Sequence, residues 1–327
     1  MVTSVRDDSV PVARRVPPVG ISMGGSSGPA APRRRRRMKE SPTDLVFLIA
    51  VYLLLTTFLL VVLLPLIYIV ASSFSDPLAV SSGEVFLWPV DFTLRGYEAV
   101  LSDPQILTGY ANSLFYTVVG TLISVTFTVA IAYPLSRRDL FGRNVITMGV
   151  VFTMLFSGGL IPTYLVVQSL GMLDTRWALL LPQAIGVWQV IIARSFFRTS
   201  IPDELAEAAQ LDGARDLRFL WSVVLPLSKP LLAVIALMYA IFQWNSYFDA
   251  LLYIRDSDLQ PLQIVLRNIL IVGSGSGMDV GDAIARQQMA DLVKYSLIVV
   301  SSVPVLLIYP FVARHFTKGV MVGSVKG

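Results

Sequence analysis

The side chains of this chain that could do chemistry are few, and their types exclude most of it. Cysteine is absent and His315 is the sole histidine, so a disulfide framework, a thiolate nucleophile and a Cys/His metal centre are ruled out. The run Gly273-Ser274-Gly275-Ser276-Gly277 is rich in glycine but is not followed by Lys. With no G-x-x-x-x-G-K-[ST] phosphate loop anywhere in the chain, it reads as a flexible loop. Asp291 and Lys294 are spaced as an i, i+3 pair, and a snorkelling Lys explains them. No catalytic residue, no metal site and no cofactor is expected of this polypeptide, which is not read as an enzyme. Two groupings are left. One is the quartet Trp244, Asn245, Tyr247 and Asp249, set inside an apolar stretch; the other is the polar segment from Ser200 to Arg215.

The elements that must position these residues are transmembrane helices. Of 327 residues 54% are hydrophobic and 15% charged, and the mean hydropathy is +0.67, whereas soluble domains carry about 25% charged residues. The apolar residues gather into six runs: Asp44 to Val70, Ala111 to Leu135, Val145 to Val167, Trp177 to Phe197, Leu231 to Tyr253 and Leu292 to Ala313. Each is long enough to cross roughly 30 Å of hydrocarbon at about 1.5 Å per residue. The expected fold is an all-α polytopic bundle of six transmembrane helices spanning residues 44–327, behind a disordered tail over 1–43 that is rich in Pro, Gly, Ser and Arg. Prolines and glycines interrupt the spans at Pro65, Pro134, Gly158, Gly159, Pro162, Pro182, Gly186, Pro304 and Pro310. Taken singly they read as structural kinks, and together they suit a bundle that moves.

Charge sets the orientation. The net charge is +4, but much of the excess lies in the block Arg33 to Arg37 just ahead of the first apolar run, which favours a topology signal over a nucleic-acid partner. With a cytoplasmic N-terminus, and with Arg194 at the inner end of the fourth run counted with the loop that follows it, twenty of the 26 Lys and Arg residues fall on the cytoplasmic side and five on the external one, Lys294 lying within the last span. That asymmetry is what retention of positive charge inside predicts, and it places both termini in the cytoplasm. His315 then lies just beyond the last span, at the inner boundary.

Between the fourth and fifth spans lies a cytoplasmic loop over about 198–230, and its segment S-I-P-D-E-L-A-E-A-A-Q-L-D-G-A-R, Ser200 to Arg215, has the marks of a short helix. Ser200 can cap the amide of Asp203, Pro202 suits the first turn, and Asp203 and Glu204 complement the positive end of the dipole. Gly213 is placed to end the helix in a left-handed conformation. Leu205, Ala208, Ala209 and Asp212 recur at spacings of three and four, giving one face a centre of small side chains that permits close approach. A helix lying on the membrane would need a Lys/Arg-rich polar face that this one lacks, so a protein partner is expected.

Glu207-Ala208-Ala209, then Gly213, then Val223-Val224-Leu225-Pro226 resembles the EAA loop of binding-protein-dependent ABC importer permeases, with Val223 where the family pattern has Ile. The closing residues are similar to the tail of the carbohydrate-uptake, maltose-type branch at Lys318-Gly319, Gly323 and Lys326-Gly327. The stretch Phe156 to Val167 resembles a subgroup associated with complex oligosaccharides. This resemblance implies a permease subunit in a bacterial plasma membrane, multi-pass, translocating a sugar or oligosaccharide by alternating access. It implies a cytoplasmic ABC ATPase dimer that binds ATP and Mg, a second and different permease subunit, an extracellular solute-binding protein and surrounding membrane lipid as partners. On it, Glu204 to Gly213 form a coupling helix docked in a groove of the ATPase: Glu207 supplies a polar contact, Ala208 and Ala209 close packing, and Gly213 the turn, with Asp212 in the same helix and Pro226 further along the same coupling loop. The tail Lys318 to Gly327 is implied as a second ATPase contact.

For Trp244, Asn245, Tyr247 and Asp249 two readings stand. Polar side chains in a span normally face the interior or a water-filled path, where Trp244 would offer a face to a sugar ring. Equally, Asn245 and Asp249 could bond across helices while Trp244 packs. The competing function is an ion-coupled secondary transporter or channel, which would need ionisable relays or a charged ring at the midplane.

Overall fold

Among residues 42–272, 288, 290–308 and 310, which the computed structural model describes, all regular structure is helical. In chain order the elements are α1 (Pro42–Ser73), α2 (Pro77–Ser81), α3 (Arg95–Ser102), α4 (Pro104–Ser136), α5 (Arg143–Leu155), α6 (Leu160–Ser169), α7 (Trp177–Leu180), α8 (Val187–Ser200) and α9 (Asp203–Leu211). Then come α10 (Asp216–Phe219), a π turn (Leu220–Val224), α11 (Leu225–Leu227), α12 (Lys229–Trp244), α13 (Phe248–Tyr253), a 3-10 turn (Ser257–Leu259), α14 (Leu262–Val272) and α15 (Ala290–Ile308). The first part of α1 belongs to a unit ending at Thr56, and the larger unit, which holds α2 through α15, begins at Thr57. Most of the expected tail, the Gly273–Gly277 run, His315 and the segment Lys318 to Gly327 lie outside the described residues, whereas Pro42 and Thr43 are already helical.

Three described helices, α1, α4 and α15, are long and apolar enough to cross a membrane singly, and the number rises to five if each bent pair is one span. Three of the six expected spans are therefore not continuous. The run Val145 to Val167 is α5 and α6 meeting at 112°, because Gly158 and Gly159 interrupt it and Gly159 takes φ +86, a conformation that favours glycine. The run Trp177 to Phe197 is α7 and α8, parted around Pro182 and Gly186. The run Leu231 to Tyr253 is α12 and α13, parted at Asn245–Tyr247, and α12 itself leaves the preceding helical segment Asp216–Leu227 at 83°.

Helix α4 organises the larger unit, packing against α3, α7, α8, α12 and α14. It begins earlier than the hydropathy run implies because Asp103 caps it, accepting from the amides of Gln105 and Ile106 at 2.8 and 3.4 Å, with Pro104 in the first turn. Its buried side is rich in small and hydroxyl-bearing residues, among them Gly109, Ser113, Thr117, Gly120, Ser124, Thr128 and Ala132. In lipid, apolar burial gives helices little reason to associate, so close approach and hydrogen bonds must do so, each bond contributing about 0.6 kcal/mol. Gly120 shows the approach: a Cβ there would lie 2.7 Å from the Gln243 side chain of α12.

The hydrogen bonds mark the two ends and the middle of α4. At its N-terminal end Asn112 donates to the carbonyls of Asp258 and Gln260 at 2.6 and 3.2 Å, Tyr116 donates to that of Leu259 at 2.8 Å, and Ser113 accepts from the Leu262 amide at 2.8 Å. In the middle the Tyr239 hydroxyl of α12 shares a hydrogen bond with Thr128 at 2.7 Å and accepts from the Gly186 amide at 2.9 Å. At the C-terminal end Arg194 of α8 donates to the Leu135 carbonyl at 2.9 Å. Thirty-three residues give α4 a length of about 50 Å, so whatever is tied to these two ends lies on opposite sides of the unit.

Candidate functional site

The segment singled out by its spacing does form a helix, α9, at the C-terminal end of α4. Its start differs from the expected one. Ser200 does not cap it: Ser200 closes α8, Ile201 and Pro202 are extended, and Pro202 stands at the cap position without a side-chain bond. The proline dictates this, since the residue before a proline is pushed out of the helical region. The first turn holds Asp203 and Glu204, and Asp203 Oδ2 pairs with Arg138 Nε at 3.2 Å across to the loop after α4. Both side chains are more than half exposed, so the pair fixes position while contributing at most about 1 kcal/mol.

The end of α9 is as the sequence predicts. Gly213 takes φ +74, its amide donates to the Gln210 carbonyl at 3.0 Å, and the Ala214 amide reaches back to Ala209 at 2.9 Å. This paired left-handed closure satisfies carbonyls that the helix leaves open. Which face looks inward differs from expectation. Ala206, 3% exposed, is the buried residue of α9, and Ala209 packs beside it against the cluster containing Phe197, Phe219 and Val224. Ala209 thus belongs to the bundle side, while Glu204, Leu205, Glu207, Ala208 and Asp212 are exposed.

Val223-Val224-Leu225-Pro226 has a different task. It spans the π turn and α11; Val224 is fully buried and Val223 packs against the same cluster, while Pro226 is exposed. The valines therefore pin the loop to the bundle from beneath α9. Three exposed apolar side chains at this end were not anticipated: Leu211 at 90%, Leu217 at 72% and Trp221 at 70% exposure. Leu211 stands out in the sequence as apolar within a polar stretch, whereas Leu217 and Trp221 carry no signal that separates them from Phe219, Leu220 and Val224 beside them, which turn inward. Between α9 and the ends of α4 and α8 lies a cavity of about 210 Å3, bordered by Tyr133, Arg137, Arg198, Asp203, Glu204 and Phe219.

The quartet around Trp244 does not converge on one cavity. Trp244 is 4% exposed; its indole N–H donates to the Ser301 carbonyl at 3.1 Å and its ring meets Tyr110 edge-on at 5.6 Å. It offers no free face to a sugar in this conformation. Asn245 is exposed and donates to the Ile241 carbonyl of its own helix at 2.8 Å. Tyr247 joins the cluster around Tyr116 and Leu180, and Asp249 lies in the first turn of α13. Lys294 lies 5.7 Å from the ring of Tyr295, and no Asp291–Lys294 ion pair occurs among the described residues. Nor do three His, Cys, Asp or Glu side chains gather there as a metal site.

Comparison with known proteins places this architecture. The chain is 46% identical over 265 residues to the polygalacturonan/rhamnogalacturonan transport system permease protein YtcP of Bacillus subtilis (strain 168), covering 81% of this chain and 92% of the relative. The chain is an ABC importer permease. It belongs to the carbohydrate-uptake branch of that family. The permease is likewise 46% identical over 267 residues to Protein LplC of the same bacterium, covering 81% and 89% of the two chains. It superposes with a TM-score of 0.79 and 39% identity, over 85% of its length and 99% of the other's, on a chain from the crystal structure of a bacterial ABC transporter involved in the import of the acidic polysaccharide alginate. No family model matches the permease. It is thus a multi-pass inner-membrane subunit of an importer, and the ion-coupled alternative is not supported.

Proposed function

We propose that α9 is the coupling helix through which a separate ATPase dimer drives this permease, and that the solute is an acidic, uronate-containing oligosaccharide. The observation that carries the first part is the two-sided construction of α9. Ala206 and Ala209 bind it to the bundle, while Leu205, Glu207, Ala208 and Leu211 face outward from a helix closed at Gly213. Leu211 and Trp221 are too apolar and too exposed to be left facing water, and a protein groove is the surface they suit. ATP and Mg belong to the ATPase partner. A second, different permease subunit, an extracellular solute-binding protein and membrane lipid complete the expected surroundings.

Counting α5 with α6, α7 with α8, and the segment from α12 through α13 as broken spans keeps the total at six crossings, with both termini in the cytoplasm. The Lys/Arg asymmetry supports that orientation. The acidic character of the solute rests on the relatives, one named for polygalacturonan and rhamnogalacturonan and one solved in an alginate importer.

The test of coupling is Leu211→Asp and Glu207→Ala in the assembled transporter. Leu211→Asp is expected to reduce co-purified ATPase at least tenfold and solute-stimulated ATP hydrolysis with it, leaving the thermal unfolding of the permease unchanged. Full ATPase retention and transport in both variants would end this reading. The solute is tested by uptake of trigalacturonate against its neutral methyl ester in proteoliposomes containing all subunits.

A further inference from the structure

At the end of α4 opposite α9, the loop after α6 and the end of α13 enclose an open pocket of about 220 Å3, whose walls include Tyr164, Gln168, Asp174, Tyr253 and Arg255. The rings of Tyr164 and Tyr253 stack at 6.1 Å and 21°; Tyr253 is buried and Tyr164, half-buried, is the ring this pair presents to the pocket as its aromatic wall.

Asp174 holds the pocket's shape. It takes φ +58, a left-handed conformation uncommon outside glycine but tolerated by Asp, and its amide donates to the Tyr253 carbonyl at 2.8 Å. Its Oδ1 accepts from the backbone amides of Arg255 and Asp256, both at 2.8 Å. This carboxylate is therefore engaged as a clamp between two loops. The amides of Asp256 and Arg255, and to a lesser degree the charge of Arg255, hold its pKa below the usual value.

The Arg255 guanidinium, by contrast, makes no ion pair or hydrogen bond among the described residues, and neither does the Gln168 amide. An exposed arginine and an amide beside an aromatic wall, on a frame fixed by backbone bonds, have the chemistry of a site for a carboxylate-bearing ring.

We propose that this pocket is a subsite for one uronate unit of the solute. The ring carboxylate pairs with Arg255, ring hydroxyls bond to Gln168 and to the tyrosine hydroxyls, and the apolar ring face lies against Tyr164. The negative charge of Asp174 repels a carboxylate, so it favours the orientation that brings the acid to Arg255. The inference rests on the acidic-solute reading and on the outer placement of this end of the bundle.

The experiment uses the whole transporter in nanodiscs without the solute-binding protein, titrated with trigalacturonate and with its methyl ester. Wild type is expected to bind the acid at least tenfold more tightly than the ester. Arg255→Gln should abolish that preference, Arg255→Lys restore part of it, and Tyr164→Ala weaken both probes alike. Thermal unfolding of Arg255→Gln should stay close to wild type, because the Asp174 clamp takes its two hydrogen bonds from main-chain amides and the Arg255 charge is the lesser contribution. Absence of binding without the receptor, or a preference unaltered in Arg255→Gln, overturns the subsite. If Arg255→Gln slows receptor-dependent uptake of acid and ester equally, the pocket contacts the receptor protein and the subsite is again wrong. The two readings fail separately: wild-type transporter that imports only neutral sugars refutes the acidic solute, whereas import of acid with an unaltered preference in Arg255→Gln refutes only the pocket.

Discussion

Tyr239 is the residue on which three helices depend at once, since its hydroxyl meets Thr128 of α4 and the amide of Gly186 ahead of α8. Tyr239→Phe keeps the ring and leaves two interior polar groups without their partner, a loss of about 1–2 kcal/mol. A lowered unfolding midpoint in detergent, with unchanged helix content, is the expected outcome. Gly120 is a second such point. Gly120→Val should destabilise strongly, because its Cβ would meet Gln243 at 2.7 Å, and Gln243→Ala in the same chain should recover part of the loss.

Asp174 makes the pH prediction. Its folded-state pKa is lowered, so its contribution is present above the unfolded value of roughly 4 and is lost as pH falls through the folded one. Hydrogen exchange of the Arg255 and Asp256 amides should quicken relative to the intrinsic rate in that acid range, and Asp174→Asn should remove the pH dependence. An unchanged profile in Asp174→Asn would assign the effect elsewhere.

At the scale of elements, α9 is the part most directly legible in the sequence. Gly213 ends it as its position predicts, and Gly213→Ala should cost about 1–2 kcal/mol of local stability by forcing a Cβ into the left-handed region. On the coupling role proposed for α9, ATP hydrolysis per solute transported should rise. Ser200 misled because it has the chemistry of a cap, while Pro202, two residues on, forces the chain out of the helix before it can act as one. The inward face was ambiguous for a different reason: Ala206, Ala208 and Ala209 occur on both sides, and alanine is equally tolerable against a bundle and against water. The breaks at Gly158–Gly159 and around Pro182–Gly186 were marked by residue type, but hydropathy reports composition along the chain and not direction, so a 112° turn leaves it unchanged. The placement of Trp244 was illegible because an aromatic beside polar residues looks the same whether it lines a path or fills a core.

For the whole molecule, α4 sets the polarity: Asn112 and Tyr116 hold one end through the 258–262 loop, and Arg194 holds the other beside α9. The absence of native cysteine makes this directly measurable. Gln168→Cys should react with an impermeant maleimide on intact cells and Gln210→Cys only after permeabilisation; the reverse order would invert the proposed topology. The meeting of α5 and α6 has its own consequence. Residues 152–163 are all exposed, and the bend between them leaves main-chain amides of Ser157 and Gly158 outside either helix. Hydrocarbon cannot satisfy such groups, so a copy synthesised in excess of its companions carries a defect that lipid will not conceal. Such orphans should be short-lived in the cell, and the abundance of this subunit should track that of the proposed second permease subunit after either gene is silenced.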